Sequence, residues 1–162
     1  MRSTERLLLR DTRLSDALAL FAILGDAEAM RHTTHLPTLR ACRRHITGYL
    51  CARRRTGHAP WTIATKASEE IIGWGGLYED PFDRGWGVEV GYWFAPSAWG
   101  KGYATELVRA SLDHARHCGL DNVSAFTRPE NAGSRRVLEK TGFRMQRFVP
   151  SLQRNLYRYR ID

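Results

Sequence analysis

The chain contains 162 residues, of which 43% are hydrophobic and 26% are charged, and it carries a net charge of +8 at pH 7. This size and balance predict one folded domain, residues 1–162, with its own hydrophobic core. No apolar run is long enough to cross a membrane, and the polar start at Met1–Arg6 has no apolar signal-peptide core, so we expect a cytoplasmic protein.

The first third of the chain is predicted to form one strand and two helices. Ser15 or Asp16 is a suitable N-cap for the first helix, and Gly57 is a suitable stop for the second. Hydrophobic side chains recur at helical spacing in both helices: Leu14, Leu18, Phe21 and Ala22 in the first, and Leu39, Cys42, Ile46, Tyr49 and Leu50 in the second. The predicted elements are a strand at 6–10, a helix ending at 24, a short turn at 26–31, a loop at 32–37 and a basic helix at 38–56.

The remaining two thirds are predicted to alternate between strands and helices. Residues 88–94 show a strict alternation of side chains, with Val88, Val90, Tyr92 and Phe94 on one face and Glu89, Gly91 and Trp93 on the other. A mixture of strands and helices of this kind predicts a single α+β, or mixed α/β, domain. The predicted strands are 61–65, 71–78, 88–94, 122–127, 143–149 and 152–159, and the predicted helices are 101–118 and 131–140.

The segment Trp99–Ala104 predicts a phosphate-binding loop. It follows a strand and a Pro-marked turn, contains Gly100 and Gly102, and opens a helix. Backbone N–H groups at a helix start lack intrahelical partners and point outward, where the helix dipole adds positive character. Glycines allow a diphosphate to approach the backbone closely. The segment therefore predicts a site for a phosphorylated cofactor.

The cysteines and histidines do not predict a metal site. Cys42, Cys51 and Cys118 are odd in number and none of them forms a Cys-x-x-Cys pair, which indicates free thiols in a reducing compartment. His114, His117 and Cys118 share one predicted helix, but a zinc site needs a closed geometry and a fourth ligand or water. We interpret them as a solvated helix face and expect no metal.

The positive charge raises the possibility of a nucleic-acid partner. Of the 25 basic residues only Lys66, Lys101 and Lys140 are lysines. The arginines are dispersed and no stripe of interleaved aromatic residues accompanies them, so nucleic acid is not the predicted partner. Part of the charge is suited to a polyphosphate cofactor.

Three segments, in the expected order, resemble signatures of the GNAT superfamily of acyl-CoA-dependent N-acetyltransferases. The resemblance is to its RimJ/RimL-like branch, the ribosomal-protein N-terminal acetyltransferases and their relatives. Thr4–Arg10 is similar to the opening strand, Glu89–Phe94 followed by Trp99–Glu106 to the central pattern, and Asn131–Phe143 to the second signature. Trp99 departs from the Arg or Gln usual in the superfamily but is typical of this branch. The resemblance covers nearly the whole chain and implies a central, mostly antiparallel mixed sheet flanked by helices.

The resemblance implies acetyl transfer from acetyl-CoA, as cosubstrate, to a primary amine, and no metal. The loop amides would hold the diphosphate, while the strand ending at Phe94 would pair with the pantetheine arm. Asn131 would bond the same arm, Lys101 would add charge at the phosphates, and Tyr103 would pack on the cofactor or the core. The implied cofactor-binding residues are Phe94, Trp99, Gly100, Lys101, Gly102, Tyr103, Ala104, Thr105, Asn131 and Ser134.

Glu89 and Ser134 are the predicted catalytic residues. An amine must be neutral to attack, and Glu89, acting directly or through a water, is the candidate base, with Gly91 leaving room beside it. A backbone N–H near Phe94 would donate a hydrogen bond to the oxyanion of the tetrahedral intermediate. Leu138 occupies the position where many superfamily members carry a tyrosine that protonates the leaving thiolate. The predicted acid or thiol-positioning group is Ser134, whose place in the second signature suits contact with the sulfur; Tyr103 and water are the alternatives, and Ser134 could instead be only a small residue that lets the cofactor approach.

The acceptor is not defined by the sequence. The resemblance places its groove near residues 32–37, 79–86 and 149–154, and we interpret Trp74 as packing, with Trp86 either packing or lining a pocket. A protein N-terminal α-amine and a small-molecule amine both stay open, as does a homodimer formed through the last hairpin. The main alternative function is a non-catalytic acyl-CoA-binding regulatory module with the same fold, which Leu138 leaves possible.

Overall fold

A single eight-stranded sheet forms the centre of the protein in the computed structural model, which describes residues 1–162. The strands are β1 (Arg2–Ser3), β2 (Leu7–Asp11), β3 (Trp61–Thr65), β4 (Ile71–Tyr78), β5 (Glu89–Phe94), β6 (Asn122–Thr127), β7 (Arg144–Val149) and β8 (Arg154–Arg160). The helices are α1 (Ala17–Leu24), α2 (Leu39–Thr56), α3 (Tyr103–His117) and α4 (Ala132–Lys140). The sheet order is β1-β2-β3-β4-β5-β6-β8-β7, and all neighbours are antiparallel except β5 and β6.

The helices cover both faces of the sheet. On β4, Trp74 packs into a cluster with α1 and α2 that includes Leu20 and Ile46. Three residues further along the same strand, Leu77 packs into a second cluster with Val108 of α3 and Leu138 of α4. Positions three apart on a strand face opposite sides, so these are two separate helical layers. The predicted α+β class and mostly antiparallel mixed sheet are confirmed.

Both ends of α2 follow the chemistry predicted from the sequence. The Thr38 hydroxyl accepts a hydrogen bond from the Ala41 N–H at 3.1 Å, and Gly57 closes the helix with φ = +80°. Cys42, Ile46 and Tyr49 are buried as expected. The predicted elements at 61–65, 71–78 and 122–127 match β3, β4 and β6 residue for residue.

The face predicted for α1 is wrong. Leu14 and Leu18, at 49% and 69% exposure, point to solvent, while Leu20 and Leu24 are buried. The helix sequence Ala-Leu-Ala-Leu-Phe-Ala-Ile-Leu is apolar all round, and such a helix carries no periodic signal that selects one side.

Asp16 also has a different role from the predicted side-chain cap. Its carboxylate accepts two hydrogen bonds from the Arg10 guanidinium, at 2.8 and 2.7 Å, and one from the Thr62 hydroxyl at 3.1 Å. Burial alone would raise the pKa of Asp16, but the bonds from Arg10 and from the Arg13 N–H hold that pKa below its usual value. The residue therefore fastens the start of α1 to β2 and β3.

None of the helices has both the length and the apolar composition that a bilayer crossing requires.

Candidate active site

The strands β5 and β6 diverge at the centre of the sheet. They share a single register pair, Glu89 with Ser124, beyond which no pairing continues, whereas β4 and β5 stay paired from Tyr78–Glu89 to Gly73–Phe94. The Ala95 N–H donates to the Ile72 carbonyl of β4. Because backbone groups alternate in direction along a strand, those of Tyr92 and Phe94 point the other way, into the gap. The gap therefore presents a strand edge that no neighbouring strand pairs with, although the Phe94 carbonyl accepts from the Trp99 indole N–H.

A cleft of about 530 Å³ lies in front of this edge, between the start of α3 and α4. Gly100 and Gly102 bring the chain to α3 with φ of +72° and +81°, values that favour glycine. The N–H groups of Gly100, Lys101 and Gly102 donate no backbone hydrogen bond, and the first amides of α3 lack intrahelical acceptors. An added Cβ at Gly100 would meet no atom within 4 Å. This open row of donors at a helix N-terminus fits a diphosphate.

Nearly all of the predicted cofactor residues line this cleft. The exception is Lys101, whose carbonyl accepts a hydrogen bond from Arg6 at 2.9 Å. The Trp99 indole N–H donates to the Phe94 carbonyl at 3.1 Å and so ties the loop to the end of β5. The predicted residues that line the cleft are Phe94, Trp99, Gly100, Gly102, Tyr103, Ala104, Thr105, Asn131 and Ser134.

Two arginines of the cleft were not predicted from the sequence. The Arg31 guanidinium lies 5.0 Å from the centroid of the Trp99 ring, and Arg136 lines the cleft from α4. Arg31 belongs to a turn far from the glycine loop in sequence, and no local motif marks it. Both bring positive charge to a cleft suited to phosphates.

A second, inner cavity continues from the cleft into the gap between β5 and β6. Tyr78, Leu138, Arg128 and Arg154 line it. The residues common to the cleft and the inner cavity are His32, Thr33, Tyr92, Trp93, Asn131 and Ser134. Ser134, a predicted catalytic residue, thus stands where the two spaces meet.

A pair of hydroxyl groups marks this junction. The Tyr92 Oη of β5 and the Ser134 Oγ of α4 lie 2.9 Å apart and share a hydrogen bond. Burial raises the pKa of Tyr92 to about 12, so the phenol carries its proton at neutral pH. Asn131 is the N-cap of α4 and uses its amide oxygen to accept from the Ser134 N–H at 3.1 Å. The side-chain NH₂ of Asn131 is then the group left for a ligand.

Glu89 lies at the start of β5, opposite Tyr78, and is 5% exposed. Burial, reinforced by the negative charges of Asp80 and Asp83, raises its pKa to about 8. Its side chain does not line the inner cavity, whereas its neighbour across the sheet, Tyr78, does. Gly91 lines the inner cavity, and the room left by its missing Cβ is taken by the Tyr78 hydroxyl, which would lie 2.6 Å from a Cβ there.

The inner cavity is bordered by cationic side chains. Arg128 and Arg154 line it, and the Nε of Arg128 is buried without a hydrogen-bond partner. His32 also lines it, and burial together with the nearby Arg31 lowers the pKa of His32. Of the segments predicted for the acceptor groove, residues 32–37 reach the cavity through His32 and Thr33, and residues 149–154 reach it through Arg154.

The two tryptophans considered for the acceptor pocket both pack elsewhere. Trp74 is 1% exposed and donates its indole N–H to the Thr12 hydroxyl at 3.0 Å, which confirms the packing interpretation. The Trp86 indole donates to Asp83 at 3.1 Å and its ring stands edge-on against Phe126. Neither lines the cleft or the inner cavity.

Comparison with known proteins gives matches over most of the chain. Residues 6–144 match the sequence model of the family described as Acetyltransferase (GNAT) domain. The chain is 30% identical over 148 residues to YkkB, an uncharacterized protein of Bacillus subtilis (strain 168), covering 90% of this chain and 86% of that one. The crystal structure of an acetyltransferase from Agrobacterium tumefaciens superposes with a TM-score of 0.82 at 25% identity, covering 99% and 94% of the two chains. The ribosomal L7/L12 α-N-protein acetyltransferase RimL, solved in complex with coenzyme A, superposes with a TM-score of 0.82 at 20% identity, covering 99% and 97%.

Proposed function

Since this chain belongs to the acetyltransferase (GNAT) domain family and is an acetyl-CoA-dependent acetyltransferase, we propose that it acetylates a primary amine by direct attack in a ternary complex. The acceptor is a protein N-terminal α-amine or a small-molecule amine. The observation that carries the proposal is the junction at Ser134, where a phosphate-binding cleft and an inner cavity meet beside an unpaired strand edge.

Acetyl-CoA is assigned to the cleft by the chemistry of its donors. The amides of residues 100–105 would hold the diphosphate, with Arg31 and Arg136 adding positive charge. The pantetheine arm carries amides and would pair with the outward backbone groups of Tyr92 and with the Phe94 N–H, since the Phe94 carbonyl already accepts from Trp99. The NH₂ group of Asn131 would donate to the same arm. This binding mode brings the thioester toward the junction and the acceptor into the inner cavity.

Glu89 is the proposed base, and it acts through a water. A pKa of about 8 makes its carboxylate a proton acceptor matched to an α-amine, of which roughly a tenth is neutral at pH 7. The amine nitrogen forms a bond to the acetyl carbonyl carbon and its excess proton passes toward Glu89. Tyr78 and Gly91 line the inner cavity and Glu89 does not, which supports relay rather than direct contact.

The Tyr92–Ser134 pair is the proposed acid. When the tetrahedral intermediate collapses, its C–S bond breaks. The sulfur takes the electron pair and a proton from the Ser134 Oγ, which takes the Tyr92 proton in turn, and solvent water then returns a proton to Tyr92. If the Tyr92 hydroxyl donates to the Ser134 Oγ, the serine hydrogen is free to point at the sulfur. The backbone N–H near Phe94 is the proposed donor to the intermediate's oxyanion. The buried Leu138, which lines the inner cavity, has no proton to give, so this pair supplies the function of the missing tyrosine.

The charge of the inner cavity favours acceptors that carry an acidic group. Arg128 and Arg154 line it, and Glu89 is largely protonated at pH 7. Two guanidinium groups repel polycations and pair with carboxylates. We therefore propose that a peptide with an acidic N-terminal segment or an amino-acid-like amine is a better acceptor than a polyamine or an aminoglycoside. We also propose membership of the RimJ/RimL-like branch, which the similarity of Glu89–Phe94 and Trp99–Glu106 to its central pattern supports, together with the likeness in fold to RimL.

An acceptor screen tests the proposal. Thiol release from acetyl-CoA is measured with peptides beginning with Ser, Ala or Thr, each with acidic and neutral second residues, and with polyamines. We expect turnover on a peptide or amino-acid-like amine and a large loss in Glu89→Gln. Coenzyme A binding without turnover on any amine, and no effect of Glu89→Gln, would instead support a non-catalytic acyl-CoA-binding module.

Charge reversal refines the acceptor assignment. Arg154→Glu is expected to lower kcat/KM for acidic acceptors and raise it for polyamines. Arg158→Glu, an exposed position on the same strand outside the cavity, is the control and leaves the ratio unchanged. An equal effect of both variants would show that net charge, not the cavity, sets the preference.

A further inference from the structure

We propose that His58, His114 and Cys118 form a binding site for a thiophilic divalent cation of the Zn²⁺ type, remote from the acetyl-transfer site. The three side chains bring their ligand atoms to within 4.8 Å of one another. The cluster lies at the C-terminal end of α3, whereas the proposed phosphate loop lies at the N-terminal end of the same helix. It is independent of the proposed acetyl transfer.

The donor set and spacing suit zinc. In a tetrahedral site with Zn–N of about 2.0–2.1 Å and Zn–S of about 2.3 Å, neighbouring ligand atoms are about 3.3–3.6 Å apart. The Cys118 Sγ lies 3.6 Å from His114 Nδ1 and 3.8 Å from Nε2. The His58 and His114 rings meet edge to face with centroids 5.9 Å apart. Two imidazoles and a thiolate provide three ligands, and water completes the fourth position.

The burial of His58 distinguishes this cluster from an ordinary solvent-exposed helix face. It is 8% exposed, and its Nδ1 is buried without a hydrogen-bond partner. Its backbone is fixed by Thr56, whose hydroxyl accepts from the His58 N–H at 3.2 Å and donates to its carbonyl at 3.1 Å. Burying an unpartnered polar ring costs free energy. A bound cation would give this histidine the partner that the protein does not supply.

The electrostatics of the site have two opposing parts. The carbonyl end of α3 presents the negative end of the helix dipole, which favours a cation. Met1, Arg2, Arg53 and Asp11 line the adjoining cavity. Arg53 pairs with Asp11 at 3.3 Å, which leaves the Met1 amino terminus and Arg2 as excess positive charge. The Cys118 thiolate formed on metal binding offsets part of that charge.

The second histidine of the segment 114–118 is not a ligand. His117 turns its Nδ1 back to the Asp113 carbonyl at 2.6 Å. The sequence pattern His114-x-x-His117-Cys118 therefore contains only two of the three proposed ligands. The third is His58, which follows the C-terminal end of α2. A metal held this way would join the segment after α2 to the end of α3.

Zinc titration of the full-length protein tests the site. After treatment with a chelator under reducing conditions, calorimetry with ZnCl₂ is expected to show one bound ion per chain. Cys118→Ser and His58→Gln are each expected to weaken that binding by at least tenfold, since even outer-shell losses cost about 10–100-fold. Cobalt(II) is expected to give a thiolate charge-transfer band that Cys118→Ser removes.

The chain offers a matched control for each ligand type. Cys51→Ser removes the other exposed thiol and His117→Gln removes the neighbouring histidine, and both are expected to bind zinc like the wild type. Cys118 is exposed, so Cys118→Ser folds even if the buried His58→Gln does not. No saturable zinc binding by the wild type, unchanged binding in Cys118→Ser, or loss of binding in His117→Gln would overturn the assignment.

Discussion

The hydroxyl oxygens of Tyr92 and Ser134 lie 2.9 Å apart and connect β5 to α4 where the cleft and the inner cavity meet. One residue comes from the strand edge that stays unpaired and the other from the first turn of a helix. Their hydrogen bond places two exchangeable protons at the position proposed for the leaving sulfur.

The first prediction concerns this pair. Ser134→Ala and Tyr92→Phe are each expected to lower kcat by about 10²-fold, the lower end for general acid catalysis. Because both act on one proton path, the double variant is expected to lose little more than either single one. Coenzyme A affinity, measured by calorimetry, stays within a factor of a few.

Tyr159→Phe is the control for the tyrosine, since its hydroxyl bonds Arg116 on the surface. Fully additive losses in the double variant would contradict a shared path. If coenzyme A affinity fell as much as kcat, the result would show that Tyr92 and Ser134 act in cofactor binding and not as the acid.

The second prediction concerns the pH dependence of the reaction. Glu89 with a pKa of about 8 becomes a carboxylate as the pH rises, so kcat/KM is expected to rise through pH 8 and then level. An acceptor with a weakly basic amine keeps the amine neutral throughout and leaves Glu89 as the titrating group. In Glu89→Gln the rise disappears and the rate falls.

His32 provides the contrasting outcome. It lines the inner cavity and its pKa lies below its usual value of 6.5. A profile that rises below that pH in both the wild type and Glu89→Gln, and is lost in His32→Asn, would assign the base to His32 and contradict the role of Glu89.

The third prediction is thermodynamic and concerns the same carboxyl group. The pKa of Glu89 is raised by burial from 4.5 to about 8 in the folded protein. The folded state therefore holds a proton that the unfolded state releases, and stability falls as the pH rises between these two values. Glu89→Gln removes this contribution. The melting temperature of the variant minus that of the wild type is therefore expected to increase as the pH rises from 5 to 8.

Melting curves across that range measure the difference, and Glu79→Gln, a more exposed carboxyl at the end of β4, is the control. Parallel curves for wild type and Glu89→Gln would mean that Glu89 titrates normally. That result would also remove the basis for its catalytic pH profile.

Strand and helix placement followed from the sequence where alternating side chains or cap residues mark the element. The alternation in 88–94 and the cap residues of α2 predicted β5 and α2 correctly. In α1 the hydrophobic residues surround the helix, so only tertiary packing selects Leu20 and Leu24 over Leu14 and Leu18. Asp16 was read locally as a cap, yet its partners Arg10 and Thr62 come from two other strands.

The same limit applies to the site. The glycine loop and the Asn131–Ser134 turn are local signals, and the structure places them on one cleft. The sequence predicts Tyr92 only as a position on one face of a strand, because its partner Ser134 is 42 residues away. Arg31 meets Trp99, and His58 meets His114 and Cys118, only in the folded protein, and no local motif marks either residue. The raised pKa of Glu89 likewise follows from burial in the sheet, where Glu89 lies opposite Tyr78.

The central claim, that the glycine loop holds the diphosphate of acetyl-CoA, is tested most directly by coenzyme A binding to Gly102→Glu. Calorimetry is expected to show saturable binding by the wild type and by Gly57→Glu, a control with nearly the same φ of +80° outside the cleft. Gly102→Ala, which adds backbone strain without charge, is expected to weaken binding moderately. Gly102→Glu, which places a carboxylate among the phosphate donors, is expected to abolish it; unchanged affinity in that variant would contradict the claim.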